Sequence, residues 1–330
     1  MSINLPISKS IANRILLLQA VNGDELMPVS AAMPDDLIVL HDALTRLREH
    51  KKGEPLTLHL KNCGTALRFL QVHIDRCYAG EPITLTGDKR LLERMGKPTT
   101  QTTSALLMHG VDIPEAPDES PYITMTRRMA AMYQPCMAEA IERDWSAAAF
   151  WYEYVAIHGG ELLLEGLTDS SLQGDRIVPD IYARHFGVQT TFTPEGAILQ
   201  CNSLSAAGSP QSLLAWGALQ RSISCGVPKE LVRMGCLAAV SLDFERTPDL
   251  YPAIALTCER LGIRLNATGT ERLRYKECDR LEAVARHETR HDHRMAMALL
   301  VAGFPVDDTD CIRKSYPLFI EQWNTKIMKA

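Results

Sequence analysis

Short β-branched segments alternate with apolar or amphipathic helical segments along the whole chain, and this alternation restricts it to α/β architectures. INLPI (3–7), LTLHL (56–60), PITLTG (82–87), YITM (122–125), ELLLEG (161–166), VQTTFT (188–193), AILQC (197–201) and IRLNATG (263–269) read as strands, each flanked by Gly, Pro or Asp. The apolar spacing predicts helices over 10–22, 35–48, 65–76, 145–157, 176–186, 249–261, 278–287 and 293–302. Acidic or hydroxyl residues stand at several starts and Gly at several ends, as where Asp35 and Asp36 open a segment closed by Gly53. Gly-Asp turns at 87–88 and 174–175 suggest a repeated α/β unit. The small-residue-rich segment 203–228 interrupts the pattern and reads as an inserted surface excursion.

A length of 330 residues exceeds one typical core and implies two domains. No apolar run is long enough to span a bilayer, and MSINLPISKS lacks a basic region followed by an apolar one, so a cytoplasmic location is expected. Nine scattered cysteines, an odd number without a C-x-x-C pair, read as free thiols of a reducing compartment. A pI near 6.1 argues against nucleic acid as a partner.

Positive charge is instead concentrated locally. The stretch 268–300 is rich in Lys and Arg although the chain carries a net charge of −5. Within it, KECDR (276–280) and DHRMAM (292–297) each place a charged cluster ahead of an apolar helical run. A helix N-terminus offers unpaired N–H groups and a favourable dipole to an anion, and flanking cations add to both. SKSIANR (8–14), NCGTALRFL (62–70), LTGDKRLLER (85–94) and CIRKSYP (311–317) repeat the design. Together these turns imply a pocket for a small molecule bearing phosphate or carboxylate groups.

The same motifs, in the same order, resemble the 5-enolpyruvylshikimate-3-phosphate (EPSP) synthase family. LPISKSIANR resembles LPGSKSxSNR, KNCGTALRFL resembles GNAGTAMRFL, and LTGDKRLLER resembles LTGDxxMxER. TTQTTSALLM and PYITMT resemble SSQxxSALLM and PYIxxT, and DWSAAAFWYEYVAI resembles DxSSAxYxxxAAxI. SLQGD, TPDLYPAIA, RLRYKECDRL, DHRMAMAL and KSYPLF complete the series, so the resemblance runs from residue 3 to about 319. Departures include Ile7 for glycine, Met95 for proline, Thr99 and Thr100 for two serines, and Glu119 ahead of the Ser120–Pro121 pair. Only four residues separate Arg94 from Thr99 and thirteen separate Arg280 from Arg294, so the chain reads as shortened in two places.

The resemblance implies a two-domain inside-out α/β barrel, built from βαβαββ-like units with some elements missing and with helices beneath surrounding sheets. It implies an N-terminal domain over 9–143 on the shikimate 3-phosphate side. Residues 1–8 and 144–330 would form the C-terminal domain, with the ligands drawing the two together. The implied reaction transfers the enolpyruvyl group of phosphoenolpyruvate to the 5-hydroxyl of shikimate 3-phosphate and releases phosphate. By position, Lys9, Arg94, Arg280, Arg294 and Lys314 would surround phosphoenolpyruvate, with Asn62 and Gly64 against it. Ser10, Arg14, Thr99, Thr100 and Gln101 would hold the shikimate phosphate. Asp249, Lys276 and Glu277 would carry the proton transfers, and a lysine crowded by arginines should lie below its ordinary pKa. A simpler role for Asp249, capping the helix after Pro248, is compatible with this.

No cofactor or metal is implied, and a monomer is expected. His287, His291 and His293 with Asp292 have a spacing that could hold a divalent ion, but DHRMAM marks a fresh helix start that separates them. The gaps leave open a second reading, a non-catalytic paralogue that binds the ligands without turnover.

Overall fold

The computed structural model describes residues 1–93, 95–96, 99–201 and 239–328. Arg94 and the segment 203–228 lie outside the described residues. The chain forms two compact units, one comprising Pro6–Glu142 and the other Met1–Leu5 with Arg143–Ala330. No helix among the described residues is long and apolar enough to cross a membrane.

After β1 (Ser2–Asn4), which belongs to the larger unit, the smaller unit opens with α1 (Lys9–Asn22) and α2 (Asp35–Arg48). Strand β2 (Leu56–His59), α3 (Gly64–Cys77) and β3 (Ile83–Thr86) form a parallel β-α-β unit in which Leu56 pairs with Ile83. The short α4 (Lys89–Leu92), α5 (Thr100–Met108) and α6 (Pro121–Met132) follow. Glycine is required at Gly87, because a Cβ there would lie 2.5 Å from the Lys61 carbonyl oxygen, which also accepts the Asp88 N–H. The turns that follow β2 and β3 are thereby held side by side at the C-terminal ends of parallel strands, the end where α/β folds place ligands.

YITM, expected as a strand, lies inside α6, which corrects the reading from β-branched content. Pro121 occupies the first turn, where its missing N–H has no helical partner to lose. Thr126 donates its hydroxyl back to the Tyr122 carbonyl at 2.7 Å, and Met125 and Met129, four apart, are both buried. Burial of that face overrides strand propensity. Helix α5 was likewise not foreseen.

In the larger unit α7 (Trp145–His158) is apolar on nearly every side and is almost wholly buried, including Trp145, Phe150, Trp151 and Tyr152. A helix of this kind belongs in a core rather than on a surface. It packs against the sheet formed by β1, β4 (Gly160–Glu165), β6 (Gly196–Cys201) and β5 (Gln189–Thr193), in that order, and against α8 (Val178–Phe186). β1 runs parallel to β4, and β4–β6 and β5–β6 are antiparallel. Gly196 turns the β5–β6 hairpin at φ 148°, where a Cβ would run into the Leu164 carbonyl oxygen of the neighbouring strand. β7 (Ala239–Asp243), α9 (Tyr251–Arg260) and β8 (Arg264–Thr268) make a second parallel β-α-β unit, with Ala239 opposite Arg264. Helices α10 (Arg280–Arg286), α11 (His293–Val301) and α12 (Phe319–Gln322) complete the unit, and α9 and α11 also pack on α7.

Candidate active site

Three segments of the larger unit meet around one carboxylate. Asp249 lies in the turn between β7 and α9, where Leu250, not Asp249, is the N-cap and no side chain caps the helix. The capping role is therefore corrected: the carboxylate serves cations. Its Oδ1 lies 2.8 Å from Arg280 Nη1 and 3.3 Å from Lys276 Nζ, and its Oδ2 lies 3.2 Å from Arg294 Nη2. Burial opposes ionisation here, but Arg294, Lys276 and Arg280 outweigh it and hold Asp249 well below the usual carboxylate range.

Arg280 is 2% exposed and spans two acids. Its Nε donates to Asp292 Oδ2 at 2.8 Å, and its Nη1 donates to Asp249 and to the Pro248 carbonyl. Asp292 is fully buried and also caps α11, accepting the Arg294 N–H at 2.9 Å. Asp279 caps α10 in the same way through the N–H groups of Leu281 and Glu282. The N-termini of α10 and α11 thus hold their own carboxylates, so at these two helices side chains rather than helix ends are left to receive an external anion.

Lys276, itself in extended backbone, and Glu277 sit in the bend just before the Asp279 cap. Burial lowers the Lys276 ammonium below its ordinary pKa; Asp249 opposes the shift, and Arg280 and Arg294 reinforce it. The largest cause is therefore desolvation, where the sequence had suggested crowding by arginine. Glu277 accepts from Lys314 Nζ at 2.7 Å, and its other oxygen lies 2.8 Å from His293 Nδ1. Asp249, Lys276, Glu277, Arg280, Arg294 and Lys314 are thus assembled in one charged cluster.

Four neighbours were given no role in that cluster by the sequence. Asp292 and His293 stand in DHRMAM and were weighed singly only as metal ligands, and Ser146 and Asp175 stand in recognised motifs, DWSAA and SLQGD. The Ser146 hydroxyl donates to Asp175. Burial and then repulsion from Asp249 raise the Asp175 carboxyl to about 6, against the pull of Arg294 and the serine. The three histidines considered as a metal site part company: His287 meets Glu259, His291 meets Asp308 and His293 meets Glu277. Glu277, Asp292 and His293 do converge, but Lys314 and Arg280 already sit on those carboxylates.

In the smaller unit a second group forms where α3 and α5 begin. Thr99 caps α5, with its hydroxyl oxygen accepting the Gln101 N–H at 3.2 Å and its own N–H donating to Thr102. Gln101 donates to Thr65 at 2.9 Å and accepts from Arg68 Nη1 at 2.9 Å. A Cβ on Gly64 would lie 2.8 Å from that same Nη1. Asn62 is exposed in the preceding turn, and Thr100 is half-buried.

Lys9 reaches Asp36 Oδ2 at 3.1 Å, and the Cys63 thiol donates to the Asp36 carbonyl, so the starts of α1, α2 and α3 adjoin. Arg14, expected at the shikimate phosphate, has its guanidinium engaged with the protein itself. It is 3% exposed and donates to Thr126, Ser104 and the carbonyls of Ser10 and Tyr122, and burial lowers it to about 10. Glu119, an unfavourable neighbour for a phosphate, is neutralised by Arg127, whose Nε lies 3.1 Å from both carboxylate oxygens.

The sequence matches the family model described as EPSP synthase (3-phosphoshikimate 1-carboxyvinyltransferase) over residues 133–288 and 284–323, more than half of the chain. Among curated proteins it resembles the 3-phosphoshikimate 1-carboxyvinyltransferase of Bacteroides fragilis, with 24% identity over 420 positions covering 96% of this chain and 92% of the relative. The enzyme of the same name from Syntrophobacter fumaroxidans is 24% identical, with coverage of 97% and 95%. Among solved structures, EPSP synthase from Acinetobacter baumannii superposes with a TM-score of 0.59 at 16% identity, covering 98% of this chain and 95% of that one. That likeness establishes the inside-out α/β fold. By sequence profile and by fold, the chain belongs to the EPSP synthase family of enzymes.

Proposed function

We propose that this chain transfers the enolpyruvyl group of phosphoenolpyruvate to the 5-hydroxyl of shikimate 3-phosphate, releasing phosphate. The carrying observation is the cluster in which Asp249 meets Lys276, Arg280 and Arg294 while Glu277 meets Lys314 and His293. Four cations drawn together in one compact unit suit a ligand with a phosphate and a carboxylate, and guanidinium forks bind both groups bidentately.

The reaction breaks the bond between C2 of phosphoenolpyruvate and its bridging oxygen and joins C2 to the acceptor oxygen. The acceptor hydroxyl loses a proton, and the methylene carbon gains one and later returns it. Asp249, held ionised, is the acceptor for the hydroxyl proton. An anionic ligand that recruits Arg294 and Lys276 would loosen their hold on this carboxylate and raise its basicity. Lys276, below its ordinary pKa, exchanges a proton more readily near neutrality, and Glu277 aligned by His293 completes the relay. The hydroxyls and amide of Ser10, Thr99, Thr100 and Gln101 supply the shikimate-phosphate contacts, and Arg14 orders the turn at Ser10 from beneath.

The alternative, a paralogue that binds without turnover, is favoured by one observation. The Bacteroides alignment spans 420 positions against 330 residues here, so the relative has segments that this chain lacks. Phosphate release measured with both substrates, and with each alone, separates the readings. Release that requires both supports transfer. Thermal stabilisation by both ligands with no release would leave the binding paralogue.

A further inference from the structure

We propose that His73, Cys77 and His109 in the smaller unit form a three-ligand site for a borderline-soft divalent cation such as Zn2+, outside the proposed active site. The ligating atoms of the three side chains all lie within 4.8 Å of one another. His73 and Cys77 are four residues apart near the end of α3 and so share one face of it. His109 is the C-cap of α5. Helices α3 and α5 run side by side in the same direction, since Arg68 meets Gln101 near their starts and His73 meets His109 near their ends. The ligands therefore come from two packed helices rather than from loops.

His73 Nδ1 lies 3.2 Å from His109 Nε2. Two nitrogens bound tetrahedrally to zinc at about 2.0–2.1 Å stand roughly 3.3 Å apart, so the imidazoles already have the bite of the metal. The thiol belongs to the exposed Cys77, with Sγ within 4.8 Å of both nitrogens, and would complete the set at the expected zinc–sulfur distance of about 2.3 Å. The fourth position is left for water. Burial lowers His73 to about 4, and His109 is lowered for the same first reason, so both imidazoles are neutral donors at pH 7. Helix C-termini, where carbonyl groups are exposed, favour a cation. Arg48 opposes it at His73 and Arg76 at His109; burial raises the Cys77 thiol above its ordinary pKa, and Arg76 offsets only part of that shift. Binding shifts the two imidazoles to the tautomers with protons on His73 Nε2 and His109 Nδ1, and the thiol proton passes to solvent, one per metal bound.

The test is a titration of the metal-free full chain with Co2+ followed by visible and near-ultraviolet absorption, with Zn2+ as competitor. The expected result is one equivalent bound with a thiolate-to-cobalt charge-transfer band that Zn2+ abolishes. Cys77→Ala, at an exposed helix end, should remove the band without changing the melting temperature of the metal-free protein. His109→Gln should weaken binding at least ~10-fold. No stoichiometric binding by the wild type, a band that survives in Cys77→Ala, or unchanged affinity in His109→Gln would each overturn the site.

Discussion

Replacing Asp249 with asparagine is expected to lower phosphate release by about 10²–10⁴-fold, chiefly in kcat, because a positioned acid–base group contributes on that scale. Asparagine keeps the volume but neither accepts a proton nor balances the surrounding cations. Lys276 loses the carboxylate that raises its pKa, and Arg294 loses the partner at 3.2 Å. Arg280 retains Asp292, so the structural cost should fall below the ~3–5 kcal/mol typical of a buried pair stripped of one member. A melting curve recorded beside the assay separates the two effects. An unchanged kcat with a raised KM would reduce Asp249 to a binding role.

Glu153→Leu is expected to stabilise the protein by ~1–3 kcal/mol at neutral pH, whereas Glu153→Gln should gain little. Glu153 lies in the middle of α7 with no exposure, and among the described residues neither carboxyl oxygen has a hydrogen-bond partner. Burial pushes its pKa well above the ordinary value. The folded state thus retains a proton that the unfolded chain releases above about pH 4.3. The contribution of Glu153 to stability is therefore most favourable below that pH and declines as pH rises toward the raised native value, because the folded state binds more protons there. Leucine removes both the desolvation penalty and this slope; glutamine removes the slope and leaves an amide without partners. Denaturant unfolding at pH 5 and pH 8 checks both claims, and a Leu variant less stable than wild type at pH 8 would contradict them.

Elements set by local chemistry were legible in the sequence. The helix starts near residues 10 and 293, the Gly-Asp turn at 87–88 and the continuous apolar run of α7 lie where periodicity and turn residues put them, whereas the helix expected from 278 begins only after its cap Asp279. What escaped was decided by tertiary contact. YITM became helical because Met125 and Met129 found a core, and β7 needed a parallel partner, β8, some 25 residues later. The charged residues of the cluster were legible as residues, but their pairing was not. Nothing in KECDR says that Arg280 reaches back to Asp249 and across to Asp292, or that Arg14 turns inward to Ser104 and Thr126. Those choices depend on which long side chains are buried, which a linear pattern does not encode.

Transfer of the enolpyruvyl group requires that the bridging oxygen of phosphoenolpyruvate leave with phosphate, because its carbon takes a new bond to the acceptor. The most direct measurement is a turnover with phosphoenolpyruvate carrying 18O at the bridging position, in the presence of shikimate 3-phosphate, followed by mass spectrometry of the products. The account predicts that the label appears in inorganic phosphate and that shikimate 3-phosphate gains an unlabelled enolpyruvyl group. Label retained in pyruvate, with shikimate 3-phosphate unchanged, would mean hydrolysis at phosphorus and would contradict the assignment.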